Sequence, residues 1–183
     1  AFYYKTDDSM AGDKIGDRKI DREFEEKTYG FTLGGPIVKD KLFFFGAYDK
    51  YEETATTQTG VIGSGATNEV DVTAAEADRI RQAVLDNWGF DVGGFDKSPV
   101  TDEKILGSID WNITDNHRAK FTYMKTEGSS IVEQNGNNFL QGADVAFSSS
   151  WYNRSETVEA YIGHLFSDWT PNFSTEIKLA MTD

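Results

Sequence analysis

The chain has 183 residues, no cysteine, and a formal net charge of −13 from 18 Lys+Arg against 31 Asp+Glu. That balance repels nucleic acid and anionic headgroups and has the wrong sign for tracking phosphates, which argues against a nucleic-acid partner; the missing thiols exclude disulfides, thiolate metal sites and thiol nucleophiles. The densest apolar run, Leu42 to Ala47, falls far short of the roughly 20 residues of a membrane-spanning helix, whereas a spanning β-strand needs only about 10 residues with one apolar face.

Ala1 to Thr6 reads as a short strand. Tyr29, Phe31 and Leu33 then alternate with Thr28, Gly30 and Thr32, and a polar turn at Val38 to Lys41 leads into the run that starts at Leu42. Gly60 to Asn68 has the small polar composition of a solvated loop. Thr73-Ala-Ala-Glu76 is a capping box, Ala77, Ile80, Val84 and Trp88 recur at helical spacing, and Gly89 is a stop; this predicts one short helix with its apolar stripe docked on neighbouring loops. Ile105, Gly107, Ile109, Trp111 and Ile113 alternate with polar neighbours, as do Ala119, Phe121 and Tyr123. Gly128 to Gly142 is a second loop-like stretch. Val158, Ala160, Ile162 and Phe166 form a weaker stripe interrupted by His164, and Phe173, Ile177, Leu179 and Met181 close the series at about seven strands.

The connections alternate in length. Val38 to Lys41, Thr114 to His117 and Ser167 to Asn172 are short; about 7–25, 53–103 and 128–150 are long. In an antiparallel meander successive connections fall at opposite ends, so every long loop lies at one end, the asymmetry of a bacterial outer-membrane barrel with tight periplasmic turns and long extracellular loops. The same alternation sets the faces: Leu42, Phe44, Gly46 and Tyr48 point to lipid, and Phe43, Phe45, Ala47 and Asp49 inward, because a carboxylate in lipid is costly. Trp111 and Trp169, near short turns, suit an interfacial aromatic girdle, and Lys39, Lys41, Arg118 and Lys120 suit the periplasmic rim.

Little in the chain suggests chemistry. His117 and His164 have no spaced partner for a zinc or triad site, and the adjacent pairs Asp7-Asp8, Glu25-Glu26 and Glu52-Glu53 throw their carboxylates to opposite faces of a strand. Glu69, Asp71, Glu76 and Asp78 are acidic loop residues without EF-hand spacing. No catalytic residue, cofactor or metal site is assigned, and the chain is not expected to be an enzyme. Trp88, Phe139, Trp151 and Tyr152, in or beside the long loops, are the candidates for substrate contact, against the alternative that they only pack the loops.

Tyr29-Gly-Phe-Thr-Leu-Gly-Gly-Pro-Ile-Val-Lys-Asp-Lys-Leu-Phe-Phe-Phe-Gly-Ala-Tyr-Asp49 resembles the opening barrel hairpin of the TonB-dependent outer-membrane receptors, most closely their Oar-like branch. Asp110-Trp111-Asn112-Ile113-Thr114-Asp115-Asn116-His117-Arg118 is similar to a later turn of the same barrels. The resemblance implies a large 22-stranded transmembrane β-barrel in the outer membrane, of which residues 1–183 are an N-terminal part. It implies a plug domain and remaining strands outside this chain, and TonB engaged through an N-terminal region that is also absent. The function it implies is energised uptake of a scarce nutrient, a small-molecule or peptide ligand. Two other readings are a complete eight-stranded barrel acting as adhesin or anchor, opposed by the odd strand count, and a secreted glycan-binding β-sandwich, opposed by the sorted loops.

Overall fold

Alternation of this length commits the backbone to extended ladders, and the computed structural model shows one seven-stranded antiparallel sheet. It describes residues 1–12, 14–16, 18–19, 23–55, 57, 59–66, 68–95, 97–134, 137–138, 142–143 and 146–183. The strands are β1 (Phe2–Asp7), β2 (Phe24–Val38), β3 (Leu42–Ala55), β4 (Ser98–Thr114), β5 (His117–Val132), β6 (Tyr152–Thr170) and β7 (Phe173–Thr182). Each pairs with the next in sequence, so the topology is a pure meander, open at β1 and β7. Three two-residue ladders decorate the long connections, and the one α-helix among the described residues, α1 (Ala74–Trp88), lies in the longest.

The first hairpin shows how local chemistry sets the register. Val38 pairs with Leu42, and the Lys41 N–H donates to the Val38 carbonyl at 3.1 Å. Asp40 carries the left-handed φ of +60° that this tight turn requires, a conformation Asp tolerates better than bulkier residues. β4 clamps the turn from the side: the Asn112 side chain donates to the Asp40 carbonyl at 3.2 Å and its N–H to the Lys41 carbonyl at 2.7 Å. Two glycines are covered by rings from the strand alongside. Phe2 lies opposite Gly30 and Phe45 opposite Gly34; a Cβ on Gly30 would stand 2.8 Å from the Phe2 ring, and one on Gly34 3.0 Å from Phe45.

The ladders run further than hydrophobic alternation suggests. β3 continues to Ala55, β4 begins at Ser98, β5 reaches Val132 and β6 begins at Tyr152, so the stretches 53–103 and 128–150 are partly sheet. Here the two faces no longer differ in polarity, which hides the period, but polar residues pair across the strands: Lys27 with Glu52, Lys50 with Glu103, Glu52 with Thr101. Trp169 is likewise inside β6, at a register shift between Asp168 and Thr170, and the turn proper is Pro171-Asn172.

The sheet has no core of the kind a soluble sandwich builds. Among the described residues no large side chain is fully buried, and the buried apolar residues Val61, Ala66, Val70 and Ala77 all lie in the connection between β3 and β4. That connection carries its own small cluster, closed by Ile62 N–H to Val72 carbonyl at 2.9 Å and Val70 N–H to Gly60 carbonyl at 2.9 Å. The large apolar residues of the sheet itself are exposed or half-buried.

Candidate functional site

Cross-strand partners share a face, so the registers sort every side chain of the sheet. One face carries Phe31 and Leu33 of β2, Leu42 and Phe44 of β3, Ile105, Ile109 and Trp111 of β4, Phe121 of β5, Leu165 of β6, and Ile177, Leu179 and Met181 of β7. No charged residue interrupts that band between the tyrosines and the short turns. The other face mixes apolar and charged groups: Asp110 takes a bidentate pair from Arg118 (2.8 and 2.5 Å), and the Tyr51 hydroxyl donates to Glu53 at 2.8 Å. A charge at mid-bilayer costs about 2.5–3.5 kcal/mol or more, so the uncharged band is the lipid side and the mixed face is the lumenal side.

This confirms Leu42, Phe44, Gly46 and Tyr48 as one face and Phe43, Phe45, Ala47 and Asp49 as the other. It corrects one expectation. Arg118 and Lys120 are on the lumenal side, where Asp110 and the Phe166 ring (5.9 Å from the guanidinium) hold Arg118 away from the lipid rim. The stripe Val158, Ala160, Ile162 and Phe166 is lumenal, while β6 presents Tyr161, Gly163 and Leu165 to lipid; both faces of this strand are apolar, and only its register with β5 tells them apart.

Aromatic residues bound the lipid band at both ends. At the short-turn end Trp111 and Trp169 are half exposed; Trp169 stacks edge-on against His117 (5.0 Å) and donates to Thr175 Oγ1 at 2.9 Å. At the other end stand Tyr3, Tyr29, Tyr48, Tyr123 and Tyr161, with Tyr3 opposite Tyr29 and Tyr123 opposite Tyr161 (ring centroids 5.1 Å). Tyr161 and Trp169 are eight residues apart on β6. At ~3.4 Å per residue and a tilt near 40° that is roughly 20 Å of height, close to the ~25 Å apolar band of an outer-membrane barrel.

The tyrosines also report the tilt. Strands ~4.8 Å apart and inclined near 40° need a slip of about one residue per strand to keep a row level. Tyr29 lies opposite Lys50, two residues beyond Tyr48; Ile105, opposite Tyr48, lies opposite Lys125, two residues beyond Tyr123. The row therefore slips four residues over the five steps from β1 to β6. Isolated from its register, this girdle is invisible in the sequence. The signal that exposes it is a recurrent triplet on the lipid face: Tyr3-x-Lys5-x-Asp7, Tyr48-x-Lys50-x-Glu52 and Tyr123-x-Lys125-x-Glu127 on strands leaving the short turns, and Glu25-x-Lys27-x-Tyr29 on one returning.

At the loop end, α1 is built as its sequence predicts. Thr73 Oγ1 accepts the Glu76 N–H (3.3 Å), Glu76 accepts the Thr73 N–H (2.9 Å), and Gly89 ends the helix at φ +67°. Its stripe is only partly docked: Ala77 is buried, but Ile80 is 50% and Trp88 75% exposed. What fixes the helix instead is Arg81, which holds Asp91 through two 2.8 Å bonds, with the Gly93 N–H adding a third at 2.9 Å; Arg81 and then Gly93 hold the Asp91 carboxyl down at about 2. Glu76 is spent on the cap and Glu69 accepts the Gly65 N–H, and no grouping of metal-ligating side chains occurs among the described residues.

Segment 91–95 then docks on 147–151. Ser148 and Ser149 donate to the Gly94 and Val92 carbonyls (3.1 and 3.0 Å), and Phe95 stacks on Phe147 (5.3 Å). Gly93, at φ +78°, sits where a Cβ would meet Ser148 Oγ at 2.1 Å. Trp151 belongs to this packing, its indole donating to the Ala146 carbonyl at 3.1 Å. Trp88 and Tyr152 (51% exposed) stand free of it as open aromatic surface, and Phe139 lies outside the described residues.

A meander with an uncharged band along one face, aromatic girdles at both ends of that band and its long connections sorted to one edge defines the wall of an outer-membrane β-barrel. Comparison with known families agrees: residues 1–87, covering β1 to β3 and all but the last residue of α1, match the model described as an outer membrane beta barrel domain. No curated protein and no solved structure matches the chain. β4 to β7 continue the same ladder beyond the matched residues. The protein resides in the outer membrane.

Proposed function

We propose that this wall belongs to a TonB-dependent receptor of about 22 strands, which imports a scarce nutrient or peptide-like substrate with energy drawn from the inner membrane. The observation that carries the reading is the apolar centre of the lumenal face. Phe43, Phe45, Leu106, Met124 and Ile162 lie together across β3 to β6, with Phe45 44% and Met124 41% exposed. A water-filled pore has no use for such a surface, whereas a folded plug inside the barrel would cover it.

The alternative of a complete eight-stranded barrel is less well supported, because β1 and β7 keep unpaired outer edges whose N–H and C=O groups lipid cannot satisfy. The end bearing the long connections is then extracellular, where Trp88 and Tyr152 offer open aromatic surface to a ligand, and no catalytic chemistry is assigned. The test is uptake of labelled oligopeptides by cells carrying the full-length protein, with TonB present or deleted and with or without a protonophore. Uptake should require both TonB and the proton gradient; transport that persists without TonB would overturn the proposal.

A further inference from the structure

α1 leaves part of its apolar stripe open, and a groove runs along its flank. A cavity of about 440 Å³ lies between the helix and residues 71–72, lined by the apolar Val72, Ile80 and Ala83 and the charged Asp71, Glu76 and Arg79. That volume falls in the range of ligand pockets, ~300–1,000 Å³. Both walls are fixed: the Ile62 N–H holds the Val72 carbonyl at 2.9 Å, and the capping box and the Arg81–Asp91 pair hold α1. A groove whose walls are already ordered costs its occupant less to enter. Trp88 follows Ile80 along the same stripe and sets its exposed indole about 12 Å farther down the helix axis.

The charges decide what fits. From Glu69 to Asp91 six carboxylates stand against Arg79 and Arg81 alone. Arg81 is taken by Asp91, and Arg79 lies 3.9 Å from Glu76 with its side chain 78% exposed. Asp71, on the groove, has no hydrogen bond or ion pair among the described residues. The loop end of the lumenal face continues the sign: Glu26 lies directly opposite Glu53, an arrangement that like charges disfavour, and among the described residues neither has a basic partner. We infer that the groove captures a cationic peptide with aliphatic side chains. One such side chain fills the space between Val72, Ile80 and Ala83, an ammonium group meets Asp71, and a second ammonium lies over Trp88. The inference rests on the reading of this wall as part of a peptide importer and names the class of peptide; Glu26 and Glu53 then meet the same cations at the entrance to the lumen.

The test uses the full-length protein in phosphatidylcholine nanodiscs, with empty nanodiscs as the blank, titrated with labelled hexapeptides and read by fluorescence anisotropy. One peptide alternates lysine with leucine, one glutamate with leucine and one lysine with serine. The first should bind and the other two should bind about tenfold more weakly, since each lacks either the charge or the apolar side chains that the groove answers. Asp71→Asn, Ile80→Ser and Trp88→Ala should each weaken binding about fivefold, and Asp78→Asn, which removes an equal charge from another flank of α1, should leave it within about twofold. Equal binding of the lysine–leucine and glutamate–leucine peptides, or equal losses in Asp71→Asn and Asp78→Asn, overturns the inference. So does the absence of any binding because another segment of the full-length protein fills the groove. The peptide comparison uses the unsubstituted protein and decides the matter even if a variant does not fold. Binding needs neither TonB nor a proton gradient: its failure while TonB-dependent uptake persists strikes only the groove, and its success without such uptake strikes only the transport reading.

Discussion

Asp91 shows what a single side chain does for the loop end. It is exposed, yet it joins α1 to the segment that docks on 147–151, through Arg81 on one side and Gly93 on the other. Its carboxyl is held at about 2, below the ordinary 3.8, so the charged form is the one the fold favours. The sign follows: the contact is complete above about pH 4 and is lost as pH falls through 2, when the carboxyl protonates. A carboxyl-carbon NMR titration of the detergent-solubilised protein should give Asp91 a midpoint near 2. In Arg81→Gln that midpoint should rise toward the usual aspartate value near 3.9. No rise would mean that Arg81 is not the partner that matters.

At the scale of the element, β4 sets the clearest contrast. Ile109 lies midway along its lipid face, opposite Phe44 and Phe121, while Ser108 points the other way, opposite Phe45 and Thr122. Ile109→Arg should destabilise the folded barrel by roughly 2–4 kcal/mol and Ser108→Arg much less, measured by denaturant unfolding of the full-length protein in lipid vesicles. Equal losses would argue against the face assignment. This contrast was legible from the alternation at Ile105 to Ile113 alone. β6 was not, because Val158, Ala160 and Ile162 on one face and Tyr161 and Leu165 on the other leave two apolar stripes, and only pairing with β5 says which meets lipid.

For the whole molecule, the sorted connections fix sidedness. Ser64, in the long connection between β3 and β4, and Asn116, in the turn between β4 and β5, lie at opposite ends of the sheet. A cysteine at Ser64 should react with a membrane-impermeant reagent on whole cells, and one at Asn116 only after the outer membrane is permeabilised. Labelling of Asn116 on intact cells would invert the topology.

By itself the amino-acid order determined the meander, its short and long connections, the cap and stop of α1, and the face of each strand whose two sides differ in polarity. These are local properties: a period of two, a capping box and a turn residue act within a few positions of one another. Tertiary structure decided what depends on register. The tyrosine girdle draws on five strands, and Arg118 is claimed by Asp110 of the neighbouring strand. The sequence separates the girdle tyrosines by tens of positions, and only backbone pairing across tilted strands brings them to one level.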